Sequence, residues 1–489
     1  MIPGTGIYSY ITAIAALVLG GTFVFWLMRN RNQSKLSRPT FDPQKTIIPR
    51  DKHPVSRRHI NDNALKVINR LNSQGHEAYL VGGCIRDIYL DLRPKDFDVA
   101  TSASPEEVRG LFRNSRLIGR RFKLVHVLFG REMIEVATFR AGHKQHHGQE
   151  KSRHSKSGRI LRDNVYGTME DDAMRRDFTI NALYYDGRNF SVIDFCNGID
   201  DIRTGTLRLI GDPLTRYHED PVRMLRAIRF ADKLNFSMAP GTEQPIRELG
   251  HLLHDIPPAR LFDEVLKLLQ SGHGVRTFEL LREYQLFRSL FPATELCLQE
   301  QDKDKHACNL IIESLKSTDR RIRQNQPVTP AFLFAALLWA PMRQLVKKLM
   351  THQGVPPVPA FQQASMTVIT NQCNHTAIPR RFSMIARDIW DLQIRLERRQ
   401  PKLIESILEH PKFRAAYDFL VLREQSGENL SAAAQWWTEI QELDKHGRYS
   451  MIKLLSSHEG QKNRGNKRRR RKRKPRSDDA SSNNQSGEF

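Results

Sequence analysis

Cysteine is scarce in this chain of 489 residues: Cys84, Cys196, Cys297, Cys308 and Cys373 are all there are. No two of them form a C-x-x-C pair, so the sequence offers neither a disulfide framework nor the usual structural zinc ligands, and a reducing compartment suits it. Acidic side chains are also in short supply. Lys plus Arg number 77 against 54 for Asp plus Glu, a formal net charge of +23, and an excess of that size calls for a polyanionic partner. No internal repeat is found, which sets aside solenoids and propellers. Apolar residues make up 39%, and with 28 glycines added the content comes close to that of ordinary globular proteins, so wholesale disorder is excluded. The length allows roughly two to four domains.

One long hydrophobic run is present. From Ile7 to Met28, 22 residues carry no charge, and as a helix they would extend about 33 Å, enough for a hydrocarbon layer of about 30 Å. Arg29, Arg31, Lys35 and Arg38 follow directly. The positive-inside rule therefore predicts a single membrane crossing over 7–28 with the remainder on the cytoplasmic face. No basic n-region precedes the run, which argues against a cleaved signal peptide. The competing expectation is a downstream translation start, since a catalytic chain could begin near Ile47. A second apolar run, Ala331 to Trp339, is too short to span a membrane and reads as a buried core helix.

Residues 29–58 read as a basic linker. Strands are expected at Ala78–Val81, Phe97–Ala100, Leu124–Phe129 and Met133–Thr138, with helices over Asn63–Asn72, after Gly82-Gly83, and from a Ser104…Glu107 capping box to about Arg113. His143–Arg159, rich in Lys, His, Ser and Gly, reads as a mobile loop. Past about residue 214 the strand signals fade. Leu214–Leu234, Pro258–Leu269, Val275–Leu281, Ala331–Leu349, Phe382–Arg399 and Lys412–Leu422 carry helical periodicity. Lys462–Arg476 holds eleven basic residues in fifteen positions, a self-repelling block expected to be a disordered, phosphate-binding tail.

The chemistry concentrates in Leu80-Val-Gly-Gly-Cys-Ile-Arg-Asp87 and Lys95-Asp-Phe-Asp98. On a strand, Asp96 and Asp98 face one side while Phe97 faces the other. Two carboxylates held side by side repel unless a divalent cation lies between them, and Mg²⁺, which takes few protein carboxylates and completes its shell with water and phosphate oxygens, suits such an edge. Gly82 and Gly83 let backbone N–H groups approach an anion at a helix start, and Arg86 offers a guanidinium for phosphate. Asp220 would cap a helix beginning at Pro221, placing Arg223 and Arg226 on one face. His254-Asp255 lacks the further ligands of a metal phosphohydrolase and reads as a cap or loop.

The order G-G-x-x-R-D, D-x-D, Arg175-Arg-Asp-Phe-Thr-Ile-Asn181 and Glu219-Asp-Pro-Val-Arg-Met-Leu-Arg226 resembles the class II nucleotidyltransferases of the polymerase-beta superfamily, which hold bacterial poly(A) polymerases and CCA-adding enzymes. The likeness extends over about residues 55–450. It implies an α+β fold: a small mixed-sheet nucleotidyltransferase head (59–200), then an all-helical neck carrying a nucleotide-recognition helix (201–255) and a helical RNA-binding body (256–450), followed by the basic tail (451–489). It makes Asp96 and Asp98 the Mg²⁺ ligands, Asp177 a further acidic active-site residue, and Gly83, Arg86, Arg176, Arg223 and Arg226 the positions that hold the incoming nucleotide, with Gly82 and Asp220 shaping that site. Glu135 is a lesser candidate for a supporting carboxylate. The segment Leu117–Val127 is similar to one that separates poly(A) polymerases from CCA-adding enzymes. The whole-chain likeness implies template-independent addition of AMP from ATP to RNA 3′ ends by two-metal phosphoryl transfer. By analogy, such tails expose RNA to the decay machinery. The alternatives are a CCA-adding enzyme acting on tRNA and an inactive membrane-tethered RNA-binding scaffold.

Overall fold

A computed structural model describes residues 45–119, 123–141, 152–154, 160–163, 165–300 and 306–455. The apolar run 7–28 and the basic block 462–476 lie outside the described residues, within which no helix is long and apolar enough to cross a membrane. The described residues include all five cysteines, and no disulfide links them.

Among the described residues twelve short strands are formed: β1 (Thr46–Ile48), β2 (Ala78–Val81), β3 (Asp98–Thr101), β4 (Ser115–Ile118), β5 (Leu124–Phe129), β6 (Glu132–Thr138), β7 (Ser152–His154), β8 (Ile160–Asp163), β9 (Leu183–Tyr185), β10 (Val192–Asp194), β11 (Thr206–Leu207) and β12 (Ser237–Met238). Eight of them make one sheet in the order β1-β10-β9-β2-β3-β6-β5-β4. Every neighbouring pair is antiparallel except β3 and β6. The crossover from β3 to β6 runs through helix α3 (Pro105–Leu111), which starts at the expected capping box of Ser104 and Glu107. Strand β2, Ala-Tyr-Leu-Val, is buried along its whole length, as a central strand without polar alternation should be. Helix α1 (Asp62–Ser73) lays Ala64, Val67, Ile68 and Leu71 against the sheet at helical spacing, its start capped by the Asn61 side chain. Helix α2 (Gly83–Tyr89) leaves β2 through Gly82, whose φ of 83° is a left-handed conformation that glycine tolerates.

Chain continuation after the sheet is mostly helical, with corrections to the sequence reading. The neck is not all-helical: after α5 (Gly198–Thr204) the chain forms β11, which pairs in parallel with β12. Both helices that precede these strands end on left-handed residues, Gly205 and Asn235, which turn the chain into extended segments lying side by side. The expected helix Leu214–Leu234 is two helices, α6 (Pro213–Glu219) and α7 (Val222–Leu234). Pro221 has no N–H and disfavours helical geometry in the residue before it, and Asp220 is accordingly extended. Ser152–His154, inside the segment expected to be a loop, pairs with Ile160–Asp163 instead.

The body is built from α8 (Pro258–Leu269), α9 (Gly274–Glu283), α10 (His306–Arg323), α11 (Pro330–Leu337), α12 (Trp339–Gln353), α13 (Pro357–Gln372), α14 (Arg380–Arg398), α15 (Phe413–Gln425) and α16 (Ser431–Glu442). The expected Ala331–Leu349 helix breaks at Leu338, and its apolar part is buried in the core. Phe262, Phe291 and Phe334 pack ring against ring there.

Candidate active site

Sheet register decides where the carboxylates stand. Asp98 opens β3, opposite Val81 of β2 on one side and Glu135 of β6 on the other. Asp96 precedes the strand, and both aspartates are exposed, whereas Phe97 is half-buried and packs on the core. The Asp98 carboxyl is pushed up to about 6, first by the protein crowded around it and then by the negative charges of Glu135 and Asp96, while Arg176 pulls the other way. Glu135 is shifted upward too, by burial, with Arg140 opposing and Asp96 adding. Such a set is poorly disposed to carry its full negative charge alone. The donor chemistry fits Mg²⁺, since two carboxylates meet at an open edge. Among the described residues, no three His, Cys, Asp or Glu side chains converge as a metal cage. A cation held by Asp96 and Asp98 would complete its shell with water or ligand oxygens.

Next to this edge lies the Gly82-Gly83 turn. Arg86 is buried; its Nε and Nη2 donate to Asp87 Oδ1 at 2.9 and 2.5 Å, and its Nη1 donates to Asn181 Oδ1 at 2.6 Å. The sequence reading made Arg86 a phosphate ligand; in the structure it is buried beside the turn with these internal partners. A Cβ at Gly82 would stand 3.5 Å from Arg176 Nη1, so that nitrogen lies beside the glycine backbone. Arg176 is itself aimed by Asp172, which accepts from Nε at 3.2 Å and Nη2 at 3.0 Å, and by Tyr184 Oη, which accepts from Nε at 3.1 Å.

Asp177 follows Arg176 and is held by three donors. Its Oδ2 accepts from Arg226 Nε at 2.6 Å, and its Oδ1 accepts from the Phe178 amide at 2.8 Å and Asn181 Nδ2 at 3.1 Å. Burial would raise its carboxyl, but Arg226, Asn181 and the Phe178 amide outweigh that and bring it down to about 2. Asp177 therefore clasps α7 to the head. Arg223, three residues before Arg226 on the same helix, is buried: its Nη1 donates to the Arg216 carbonyl at 2.7 Å and to Glu219 Oε2 at 3.1 Å. Asp220 Oδ1 accepts from the Val222 amide at 3.4 Å, and both of its oxygens accept from Arg260, at 2.9 and 2.7 Å, tying the neck to α8.

Sequence reasoning missed a concentration of guanidinium groups. Arg216 Nη1 donates to Glu219 Oε2 at 2.7 Å and its Nη2 to the carbonyls of Arg175 and Arg176. Arg175 is pushed down to about 9 by burial and by Arg140, Arg216 and Arg223; Arg216 is pushed down to about 10 by burial and Arg223. Positive charge is in excess here, as negative charge is at Asp98. The three side chains Arg140, Arg175 and Arg216 come from separate elements, so no spacing in the sequence could have grouped them. Asp172 on helix α4 (Met169–Arg175), four residues before Arg176 at the helix end, could have been found from the i, i+4 rule. His254, outside this region, has its ring 6.2 Å from that of His375.

Residues 78–208 match a family described as the Poly A polymerase head domain, 235–298 one described as the Probable RNA and SrmB- binding site of polymerase A, and 353–476 the Polymerase A arginine-rich C-terminus. The chain is 49% identical over 441 residues to Poly(A) polymerase I of Salmonella typhimurium, covering 89% of this chain and 94% of that one. A CCA-adding enzyme of Lactobacillus helveticus is 38% identical over 223 residues, covering 46% of this chain and 53% of the relative. Among solved structures, a tRNA-processing enzyme with CTP shares the fold at a TM-score of 0.52 and 20% identity, over 80% of this chain and 97% of the other. Identity near one half along almost the full length of a characterised relative is decisive, and the chain belongs to the bacterial poly(A) polymerase family.

Proposed function

We propose that the chain adds AMP from ATP to the 3′ ends of RNA without a template. One observation carries the reading: carboxyls shifted up at the Asp98 edge and guanidiniums shifted down at Arg175 and Arg216 flank the same Asp177–Arg176 segment. A magnesium nucleotide, cationic at one end and polyanionic at the other, relieves both strains at once. Mg²⁺ held by Asp96 and Asp98 would supply charge neutralisation at the reacting phosphate and activation of the attacking hydroxyl. The Gly82-Gly83 turn gives phosphate oxygens access to backbone N–H groups, and Arg176 adds a guanidinium beside it. The Asp177–Arg226 clasp fixes α7 against the head so that the neck side of the site is preformed. RNA would approach along the helical body, residues 256–450, the division into head, neck and body being part of this reading.

A CCA-adding reading is weaker because the relatives bearing that name match about half of this chain. The 22 uncharged residues of 7–28 support tethering to the cytoplasmic face of a membrane; persistence of the native protein in carbonate-washed membranes, with release on deletion of that segment, checks it. The composition of the basic tail favours contact with RNA, and through it with the decay machinery. Replacing Asp96 or Asp98 by Ala should abolish AMP incorporation with RNA affinity little changed. Activity within about tenfold of the parent, a barrier change of only about 1.4 kcal/mol, would contradict the metal assignment.

A further inference from the structure

Strand register places one more polar side chain in line with the carboxylates. Tyr184 of β9 stands opposite Val81 of β2, and Val81 opposite Asp98 of β3, so the three project from one face of the sheet, with Tyr184 two strand spacings, about 10 Å, from Asp98. Its side chain is fully buried and meets the rings of Tyr79 and Phe195 edge-on, at 6.3 and 6.2 Å, which makes the hydroxyl a fixed point. Burial pushes that hydroxyl well above the usual phenol range. It therefore keeps its proton and donates it to Asp172 Oδ2 at 2.7 Å, and its oxygen is left to accept from Arg176 Nε at 3.1 Å. Since Nε and Nη2 of Arg176 also donate to Asp172 Oδ2, the three side chains close a triangle of hydrogen bonds. Nη1 is the guanidinium nitrogen outside the triangle. Among the described residues it has no hydrogen-bond partner, and it is the nitrogen that lies beside Gly82.

Asp172 by itself would leave the guanidinium free to rock, because a single oxygen, Oδ2, accepts from it. A further contact to an immobile phenol fixes the plane of the group and with it the direction of Nη1. We propose that Tyr184 and Asp172 are positioning residues that hold Nη1 of Arg176 toward the Gly82-Gly83 turn, where it meets the phosphates of the incoming nucleotide. The inference rests on the adenylyltransferase reading for the identity of that nucleotide. Arg176 also opposes the rise of the Asp98 carboxyl, so its charge is felt at the carboxylate edge as well as at the turn. Tyr184 thus acts on the site through another side chain and from the next strand but one, without touching substrate itself.

The test measures the affinity of the full chain for Mg²⁺-ATP by calorimetry without RNA, in a double-mutant cycle on Tyr184→Phe and Arg176→Lys. Phenylalanine removes one oxygen and keeps the aromatic packing, and lysine keeps the charge but loses the plane that the triangle orients. Tyr184→Phe should weaken Mg²⁺-ATP binding about fivefold to tenfold in the parent and by less than about twofold in the Arg176→Lys chain, with affinity for single-stranded RNA at the parental value. Asp172→Asn opens the triangle from its other corner and should repeat the loss with the same dependence on Arg176. Melting temperatures taken alongside separate a misplaced guanidinium from a misfolded head. Mg²⁺-ATP affinity within about twofold of the parent in both variants overturns the inference. So does an equal loss in the parent and Arg176→Lys backgrounds, which would make the triangle a structural tie between α4 and β9. Because binding is read without turnover, a parent that binds Mg²⁺-ATP and adds no AMP defeats the adenylation reading alone.

Discussion

Asp98 illustrates a residue whose fit to its task runs against stability. With its carboxyl raised to about 6 from an ordinary 3.8, the folded chain holds a proton there that the unfolded chain has released, so stability falls as pH rises between about 4 and 6. Asp98→Asn should therefore raise Tm at neutral pH in chelator by roughly 2–4 °C after allowing for solvent screening, and should erase the stabilisation that Mg²⁺ gives the parent; an unchanged or lower Tm would deny the repulsion. Asp177 has the opposite sign. Lowered to about 2, it contributes stability that is complete above about pH 4 and is lost as pH falls toward 2. Asp177→Asn should cost about 2 kcal/mol at neutral pH and flatten the acid limb of a denaturation profile. The strand near Asp98 and the turn at the double glycine were legible in the sequence because strand and turn signals are local, whereas Asp96, expected on the strand with Asp98, precedes it. That Arg86 also donates to Asp87 and Asn181 was not legible, because Asn181 lies far along the chain.

Element boundaries followed local signals where those were strong and failed where they were tertiary. The Ser104 box placed α3, and Pro258 opened α8 at the residue expected. By contrast β9 and β10 are three residues each, too short for any alternation to register, and become strands because β2 and β1 complete their hydrogen bonding. Pro221, which the sequence reading took as a helix start capped by Asp220 while also running one helical pattern across Leu214–Leu234, marks the boundary between two helices. In the body, Arg423 of α15 holds several elements together. It donates to Glu397 of α14 at 2.7 Å, to Gln393 at 3.1 Å and to both oxygens of Glu428, at 3.0 and 2.6 Å, and lies 4.5 Å from the centre of the Trp339 ring. Its side chain is 2% exposed. Arg423→Met should destabilise the body by about 3 kcal/mol in urea unfolding followed by tryptophan fluorescence, because two acidic partners lose their cation in a half-buried setting.

Across the whole molecule, a net charge of +23 marks a nucleic-acid partner but says nothing of chemistry, which resides in a few side chains of the sheet and neck. The mixed α+β class and the helical second half were legible from periodicity. The proximity of Arg140, Arg175 and Arg216 was not, because it depends on how the neck packs on the head. The division of labour that results, a sheet edge that bears carboxylates and a helical body proposed to carry RNA, leads to a direct trial. Each of the four ribonucleoside triphosphates is offered singly to the purified full chain with Mg²⁺, once with an unstructured RNA primer and once with a tRNA lacking its 3′ end. The account predicts long tails with ATP alone on the unstructured primer, absent in the Asp96→Ala chain. Incorporation of CTP confined to the truncated tRNA, or tails that persist without Asp96, would contradict it.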